Sequence, residues 1–209
     1  MGKLILLRHG ESIWNKKNVF TGWVNIGLSE KGIAEAIDAG EKLADVRFDA
    51  IYVSKLIRAQ TTAALVLSKN RMTKTAIFPT GSAWEKSYGE NEFVQVVESD
   101  ALNERYYGKL QGKNKDAIKK EFGEEQFKLW RRSYDIAPPD GESLKMTIER
   151  TLPFCENEIF PKVRGGQTVF VCAHGNSIRG IVKYLDKLTS DAVVNLEIPT
   201  GVPLFYDLS

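Results

Sequence analysis

Two stretches decide the fold, KLILLRHG at residues 3–10 and TVFVCAHG at residues 168–175. Each begins with an apolar run that does not alternate with polar residues, a pattern typical of a strand covered on both faces of a sheet. Each ends in histidine and glycine, and these two histidines are the only ones in the chain. We therefore predict two central strands, with His9 and His174 at their carboxyl ends.

Outside these two strands, strand-like and helix-like patterns alternate along the chain. Further strands are predicted at residues 50–53 and 203–206, and helices after the N-cap residue Ser29 and over 59–67. This alternation predicts the α/β class, as a three-layer α/β/α sandwich with a mostly parallel central sheet. We expect a single domain that comprises residues 1–209.

Two segments depart from this regular pattern. A helix is predicted after Gly141, and Pro153 inside it is expected to produce a kink. Signals are weaker over residues 70–139, and residues 70–101 are read as a solvated loop. We predict that 70–139 is an insertion or lid over the functional site.

Composition and charge exclude several classes of function. The 209 residues are 43% hydrophobic and 27% charged, with a formal net charge of +2 at pH 7, so neither nucleic acid nor a membrane is an expected partner. The apolar run near the N-terminus is too short for a secretory signal, which predicts a soluble cytoplasmic protein. Cys155 and Cys172 are the only cysteines, and no disulfide framework is expected.

The two histidines are the first candidates for chemistry. Reactive groups in parallel sheets collect at the carboxyl ends of strands, so adjacent central strands would place His9 beside His174. Gly10 and Gly175 follow them and would let the backbone turn beside a ligand. Imidazole is a competent nucleophile near neutral pH and can carry a phosphoryl group. The alternative is that both histidines only hydrogen-bond to nearby backbone.

Two arginines strengthen the phosphoryl-transfer interpretation. Arg8 adjoins His9, and Arg58 lies just past the strand predicted at 50–53. A guanidinium offers a planar fork for phosphoryl oxygens and matches the charge that develops during transfer. Metal catalysis is the weaker alternative, because two histidines without clustered carboxylates or thiolates do not match zinc-ligand spacing. No metal is expected.

A series of motifs extends from one end of the chain to the other. They are RHGESIWN at 8–15, FTGW at 20–23, LSEKG at 28–32, RAQTT at 58–62, LNERYYGKLQGKNK at 102–115, WRRSYD at 130–135, ESLKMTIER at 142–150, AHGNSIRGIVKYLD at 173–186 and IPTGVPL at 198–204. Together they resemble the cofactor-dependent phosphoglycerate mutases of the histidine phosphatase superfamily. RHG with a distant HG would indicate only the superfamily, whereas NERYYG, WRRS and AHGNS in this order are specific to the mutases.

The resemblance implies a role for each matched residue. His9 would be the phosphorylated nucleophile and Glu104 the general acid/base that handles the substrate hydroxyl proton. Arg8, Arg58 and His174 would surround the transferring phosphoryl group. The ligand would also contact a wider set of residues, namely Gly10, Glu11, Ser12, Ile13, Trp14, Asn15, Thr21, Gly22, Arg105, Tyr106, Tyr107, Lys115, Arg131, Arg132, Gly175 and Asn176.

The resemblance also implies an activity, interconversion of 3-phosphoglycerate and 2-phosphoglycerate in glycolysis and gluconeogenesis through a phosphohistidine. The priming cofactor would be 2,3-bisphosphoglycerate, and the partners would be small phosphoglycerates. Such a ligand has two anionic ends, so Lys115, Arg131 and Arg132 could form a second clamp. The chain ends soon after its last predicted strand, which resembles the short form without a C-terminal tail, expected as a monomer or small homo-oligomer.

Two other functions stay open at the level of sequence. The first is a histidine phosphatase that acts on bisphosphoglycerate or other small phosphate esters, against which NERYYG and WRRS argue. The second belongs to another class, a catalytically idle module that binds phosphorylated ligands on the same fold. The intact set of His9, Arg8, Arg58, Glu104 and His174 argues against it.

Overall fold

The structure, a computed structural model, describes residues 1–73, 75–79 and 93–208. Strands and helices alternate through these residues. In chain order they are β1 Gly2–Arg8, α1 Ile13–Lys16, α2 Glu30–Lys42, β2 Ala50–Ser54, α3 Ile57–Lys69, β3 Thr75–Ile77, β4 Phe93–Ser99, α4 Lys115–Phe122, α5 Glu124–Arg132, α6 Leu144–Phe154, α7 Phe160–Arg164, β5 Thr168–Ala173, α8 Gly175–Leu185, α9 Ser190–Asn195 and β6 Pro203–Leu208.

One six-stranded sheet runs through the molecule in the order β3-β4-β2-β5-β1-β6. Strand β6 pairs antiparallel with β1, and the other neighbours are parallel. The two strands predicted to be central, β1 and β5, are adjacent, with Arg8 opposite Ala173 in the register. The carboxyl ends of β1, β2 and β5 therefore meet at one edge of the sheet, which sets the position of the site.

Helices cover both faces of this sheet, which confirms the predicted three-layer α/β/α sandwich. On one face, Leu4 and Leu6 of β1 pack with Ile178 and Ile181 of α8. On the other face, Ile5 and Leu7 pack with α2 and α3, through residues such as Ala39 and Ala63. Because successive strand residues point to opposite faces, an unbroken apolar run such as 4–7 is buried on both sides.

The N-cap predicted at Ser29 begins a helix, whereas the helix predicted over 59–67 extends two residues further at each end, as α3. Ser29 is the N-cap of α2, and its hydroxyl accepts the Gly32 N–H at 3.1 Å. Pro153 lies in the last turn of α6, and the chain continues as a π-helical turn over Cys155–Ile159. The helical hydrogen-bond pattern thus changes just after Pro153, and a kink at that residue stays a prediction.

The reading of residues 70–101 as a solvated loop is wrong for the two parts that form strands, β3 and β4. Strand β4 pairs parallel with β2 and its sequence FVQVVES alternates buried and exposed residues up to Val96. Its mostly apolar stretch, FVQVV at 93–97, lies between the polar stretches GENE at 89–92 and ESD at 98–100, and these flanks obscured the strand in the sequence. Residues 80–92 lie outside the described residues, and a lid spanning 70–139 stays a prediction, as do the limits of the domain.

Candidate active site

The carboxyl ends of β1 and β5 bring the two histidine rings together. The backbone N–H of His9 donates to the carbonyl oxygen of Ala173 at 3.0 Å, which extends the strand pairing by one residue. The ring centroids of His9 and His174 are 4.9 Å apart with the planes inclined at 59°. Both side chains are buried, with 2% of His9 and 0% of His174 exposed to solvent. The predicted proximity of the two imidazoles is therefore present.

Hydrogen bonding fixes which nitrogen of His9 is available. Nδ1 lies 2.6 Å from the carbonyl oxygen of Gly10, which can only accept, so Nδ1 carries the proton. Burial, with the positive charges of Arg58 and then Arg8, holds the pKa of His9 well below its usual value, despite the opposing hydrogen bond to Gly10. His9 is thus neutral near pH 7, and Nε2 carries the lone pair, which accepts a hydrogen bond from Arg58.

His174 has a different environment. Its Nε2 lies 2.6 Å from the hydroxyl oxygen of Ser54 at the end of β2, and its Nδ1 is buried without a hydrogen-bond partner among the described residues. Burial, together with Arg58 and His9, holds its pKa well below the usual value. A buried polar atom without a partner is costly, and such atoms mark places where a ligand completes the hydrogen bonding.

Backbone carbonyls hold Arg58 against His9. Its Nη2 donates to Gly22 at 2.7 Å and its Nη1 to Val24 at 3.0 Å, while Nε donates to His9 Nε2 at 3.3 Å. Burial chiefly lowers the pKa of Arg58 to about 10, with Glu104 raising it and Arg8 lowering it further, so the side chain stays charged at neutral pH. The guanidinium is a fixed positive charge that is hydrogen-bonded to the unprotonated nitrogen of His9.

Arg8 adds a second guanidinium to the same place. Its Nη1 donates to the carbonyl oxygen of Ile198 at 2.7 Å, whereas its Nε is buried and lacks a partner in the described part of the chain. Thr21 Oγ1 is another such atom. A Cβ placed on Gly175 would lie 3.6 Å from Arg8 Nε, so the glycine leaves that donor open. Arg8 and Thr21 line a cavity beside His9, and their unpaired polar atoms suit it to an anion. His174, whose Nδ1 is also unpaired, lies next to His9 but does not line the cavity.

Gly10 has a packing role in addition. A Cβ at this position would come within 2.1 Å of the carbonyl oxygen of Gly32 in α2, a distance that no side chain tolerates. The close approach of β1 and α2 at this point therefore requires glycine. The Gly10 N–H also donates to Thr62 Oγ1 at 3.1 Å, which ties the turn after His9 to α3.

Glu104 approaches the histidines from a loop that follows β4. Its Oε1 accepts hydrogen bonds from the Asn176 backbone N–H at 3.2 Å, the Asn176 side-chain amide at 2.8 Å and the Arg105 N–H at 2.7 Å. Its Oε2 has no hydrogen bond among the described residues and lies 3.8 Å from the position of a Cβ on Gly175. One oxygen thus orients the carboxylate, and the other can exchange a proton with a ligand.

The cavity extends from His9 to an outer cluster of cations. Lys115, Arg131, Arg132 and Arg179 line it, with Glu197 as a carboxylate among them. Burial, with the nearby charges of Arg131 and Arg8, lowers the pKa of Lys115 to about 8. The cavity therefore has positive charge at both ends, as a ligand with two anionic groups requires.

The structure brings most of the predicted site residues to one cavity wall. The predicted residues that line it are Arg8, His9, Asn15, Thr21, Gly22, Arg58, Glu104, Tyr107, Lys115, Arg131, Arg132, Gly175 and Asn176. The predicted residues that do not line it are Gly10, Glu11, Ser12, Ile13, Trp14, Arg105, Tyr106 and His174.

Several of the predicted residues that do not line the cavity make contacts within the protein. Glu11 Oε1 accepts from the Ser29 hydroxyl at 2.7 Å, and Ser12 is the N-cap of α1. Arg105 is buried, donates to the carbonyl oxygen of Trp130 and lies over the Tyr107 ring. These residues shape the site from behind, and direct ligand contacts for them stay a prediction.

Some residues at the site were not predicted from the sequence. Arg179 lies three residues after Asn176 on α8, and its Nη1 donates to the Asn176 side-chain oxygen at 3.1 Å. Helical spacing from Asn176 could have found it. Glu197 directly precedes the IPTG stretch but has no spacing signal of its own, and Ser54 directly follows the strand predicted at 50–53 without a motif to mark it. Val19 and Phe20 also line the cavity.

No group of three or more His, Cys, Asp or Glu side chains that could hold a metal ion occurs within residues 1–73, 75–79 and 93–208. Among the same residues, no helix has both the length and the apolar character to cross a membrane.

The sequence profile of the histidine phosphatase superfamily (branch 1) matches residues 4–78 and 83–202. The chain is 48% identical to the 2,3-bisphosphoglycerate-dependent phosphoglycerate mutase of Chlamydia muridarum, over 99% of this chain and 94% of the relative. It is 50% identical to the protein of the same name from Methanococcus vannielii, over 100% of this chain and 91% of the relative. The chain therefore belongs to the family of 2,3-bisphosphoglycerate-dependent phosphoglycerate mutases within that superfamily.

Solved structures with the same fold are more distant in sequence. The α-ribazole phosphatase of Shigella flexneri superposes with a TM-score of 0.78 at 22% identity, over 99% of this chain and 91% of that one. A mycobacterial glucosyl-3-phosphoglycerate phosphatase in complex with VO3 gives 0.77 at 23% identity, over 98% and 92%. These likenesses confirm the histidine phosphatase fold alone.

Proposed function

We propose that this chain catalyses the 2,3-bisphosphoglycerate-dependent interconversion of 3-phosphoglycerate and 2-phosphoglycerate through a phosphohistidine at His9. The observation that carries the proposal is a buried, neutral imidazole with an unprotonated Nε2, in a cavity that has positive charge at both ends. We also propose a cytoplasmic enzyme, monomeric or a small homo-oligomer, whose partners are small phosphoglycerates.

His9 is suited to be the nucleophile because its environment prepares one nitrogen for attack. The Gly10 carbonyl accepts the Nδ1 proton, and burial with two neighbouring guanidiniums disfavours the imidazolium. Nε2 therefore attacks without first losing a proton. As the Nε2–P bond forms, the P–O bond of the donor breaks, and charge spreads over the equatorial phosphoryl oxygens.

The groups around the phosphorus are donors or cations. Arg58 and Arg8 supply guanidiniums held by backbone carbonyls, so little reorganisation is required as charge develops. His174 Nδ1 and Arg8 Nε are buried and unpaired among the described residues, and we assign them to the phosphoryl oxygens. Ser54, through its contact with His174 Nε2, orients that ring.

Glu104 handles the proton on the substrate oxygen. In phosphoryl transfer to His9, the oxygen released from phosphorus takes a proton from Glu104, and in the reverse direction Glu104 removes the hydroxyl proton before that oxygen attacks phosphohistidine. Asn176 and the Arg105 N–H hold Oε1, which leaves Oε2 for this exchange.

The outer cations distinguish a mutase from a simple phosphatase. Lys115, Arg131 and Arg132 can hold the second anionic end of a phosphoglycerate while the other end reacts. The monophosphoglycerate accepts the phosphoryl group of His9, and the bound 2,3-bisphosphoglycerate returns its other phosphoryl group to the same nitrogen. Free 2,3-bisphosphoglycerate primes the enzyme whenever phosphohistidine has been hydrolysed. No metal enters these steps.

The deciding experiment is an isomerisation assay of 3-phosphoglycerate with and without 2,3-bisphosphoglycerate. We expect 2-phosphoglycerate to form and the bisphosphate to stimulate the rate. Release of inorganic phosphate without isomerisation would instead indicate a phosphatase, and binding without either reaction would indicate an idle module.

The His9→Ala variant tests the nucleophile directly. We expect loss of acid-labile phosphoenzyme and a fall in kcat of at least about 10⁴-fold, because no other described group offers an equivalent nitrogen. Labelling with 2,3-bisphosphoglycerate that carries ³²P measures the phosphoenzyme. Retained labelling in the variant would contradict the assignment.

A further inference from the structure

Arg150, on α6, lies behind the loop that carries Glu104. Its guanidinium donates to carbonyl oxygens of that loop, to Asp100 at 3.1 Å, Ala101 at 3.0 Å, Asn103 at 3.1 Å and Glu104 at 2.9 Å. A single side chain thus binds backbone carbonyls both in the 3₁₀ turn Asp100–Leu102 and in the loop that follows it. The loop from Asn103 to Tyr107 has no regular secondary structure, so it depends on such contacts for its position.

Glu142 completes the arrangement. Its Oε1 accepts Arg150 Nε at 2.8 Å and its Oε2 accepts Nη2 at 3.0 Å, while Oε2 also accepts the Tyr106 N–H at 2.9 Å. Both side chains are largely enclosed, with 22% of Arg150 and 16% of Glu142 exposed. Partial burial alone would raise the pKa of Glu142, but hydrogen bonds from Arg150 and Tyr106 lower it overall. The pair therefore remains ionised and fixes the loop on both sides of Glu104.

Trp23 adds a further contact to the same point of the backbone. Its Nε1 donates to the Glu104 carbonyl oxygen at 2.5 Å, and its ring centroid lies 5.4 Å from Arg150 Cζ. The Glu104 carbonyl therefore accepts two donors, while Asn176 holds the carboxylate of the same residue. This hydrogen bond fixes the position of the Trp23 ring against the loop.

We propose that Arg150 and Glu142 are positioning residues that hold the Glu104 carboxylate where it can exchange a proton with the substrate oxygen. Neither residue lines the cavity, so neither is expected to touch substrate. The proposal rests on the proposed function, because it assumes that Glu104 is the acid/base. Its consequence is that weakening the pair impairs proton transfer more than it impairs attack by His9.

The choice of leaving group distinguishes an effect on proton transfer from an effect on attack by His9. In transfer from 2,3-bisphosphoglycerate to His9, the Nε2–P bond forms, the P–O bond breaks, and the sugar-acid oxygen takes a proton from Glu104. In transfer from p-nitrophenyl phosphate, the same bonds form and break, but nitrophenolate is stable without that proton. A displaced Glu104 therefore slows the first reaction and spares the second.

The experiment measures formation of phosphohistidine from each donor in the full-length wild type, Arg150→Lys and Glu142→Gln. Lysine keeps the charge but cannot span four carbonyls, and glutamine keeps the shape but loses the charge. We expect the rate with 2,3-bisphosphoglycerate to fall by about 10- to 10²-fold, less than the 10²- to 10⁴-fold typical of losing an acid/base altogether. The rate with p-nitrophenyl phosphate should change far less.

Two further variants make the comparison specific. Arg71→Lys alters a second arginine–carboxylate pair, with Asp45, which is exposed and remote from the loop, and should leave the ratio of the two rates unchanged. Glu104→Gln should show the same leaving-group preference as Arg150→Lys, with a larger effect. Arg150→Met should lower the rate with 2,3-bisphosphoglycerate more than Arg150→Lys does. If Arg150→Met fails to fold, Arg150→Lys and Glu142→Gln still test the positioning role.

The outcomes distinguish the two levels of inference. Equal losses with both donors, or unchanged rates with both, in Arg150→Lys and Glu142→Gln would overturn the positioning role. If Glu104→Gln shows the leaving-group preference and Arg150→Lys does not, only the positioning role fails. If Glu104→Gln shows no preference, Glu104 is not the acid/base, and both inferences fall.

Discussion

The inner and outer ends of the cavity bind negative charge in different ways. At the inner end, Arg58 is 1% exposed and is held by two backbone carbonyls. At the outer end, Arg131 is exposed, and Arg132 pairs with the Glu197 side chain. This comparison predicts that the fixed charge at the inner end stabilises the transition state and that the adaptable charge at the outer end binds the ligand.

The largest effect should come from the inner end. In Arg58→Lys the charge is retained, but lysine cannot contact Gly22, Val24 and His9 at once. We expect kcat to fall on the order of 10³-fold, as for other arginines that stabilise phosphoryl transfer, with a smaller change in KM. Steady-state isomerisation kinetics measure both. Arg47→Lys, at an exposed position beside Asp49, is the matched control. If Arg58→Lys changed KM and preserved kcat, the proposed difference in role between the inner and outer ends would be wrong.

Arg131→Ala should have a smaller effect, on binding. Loss of one charged hydrogen-bonding partner costs about 1.5–3 kcal/mol, so KM for 3-phosphoglycerate should rise about 10- to 100-fold. The matched control is Lys128→Ala, which removes another exposed cation from α5 but does not line the cavity. An unchanged KM in Arg131→Ala would mean that the outer clamp is wrongly placed.

Lys115 gives the outer end a pH dependence. Its pKa of about 8 means that the free enzyme loses this charge as the pH rises through that value. Because the neutral amine attracts an anion less, KM should rise on the alkaline side and stay low below about pH 8. Arginine remains charged across this range, so Lys115→Arg should remove the alkaline rise, whereas Lys113→Arg should retain it. The same alkaline rise in Lys115→Arg would exclude Lys115 as its source.

More of the inner end than of the outer end could be predicted from the sequence, for a physical reason. Strands β1 and β5 are unbroken apolar runs, and a parallel sheet necessarily gathers the residues that follow them. Strand β4 was not predicted because its short apolar stretch, FVQVV at 93–97, lies between polar residues. Arg150 was quoted within a motif, yet no pattern marks an arginine whose partners are backbone carbonyls fifty residues away in sequence.

Glu197 illustrates the same limit, since only the folded chain shows that it faces cations. Its carboxylate lies 2.6 Å from Arg132 Nη2 and 4.0 Å from Arg179 Nη2, in a cavity that we propose binds anions. An incoming phosphate or carboxylate must compete with it for Arg132. The side chain is 69% exposed, and exposed pairs contribute only about 0.2–1 kcal/mol.

The smallest predicted effect follows from that competition. Glu197→Gln should lower KM for phosphoglycerate about two- to fivefold, with little change in kcat, and added salt should reduce the difference because it screens exposed charges. Glu149→Gln makes the same change of net charge at an exposed site on α6 and should leave KM unaltered. A rise in KM for Glu197→Gln would show instead that the carboxylate orients Arg132 for the ligand, and the outer end would then be as preorganised as the inner one.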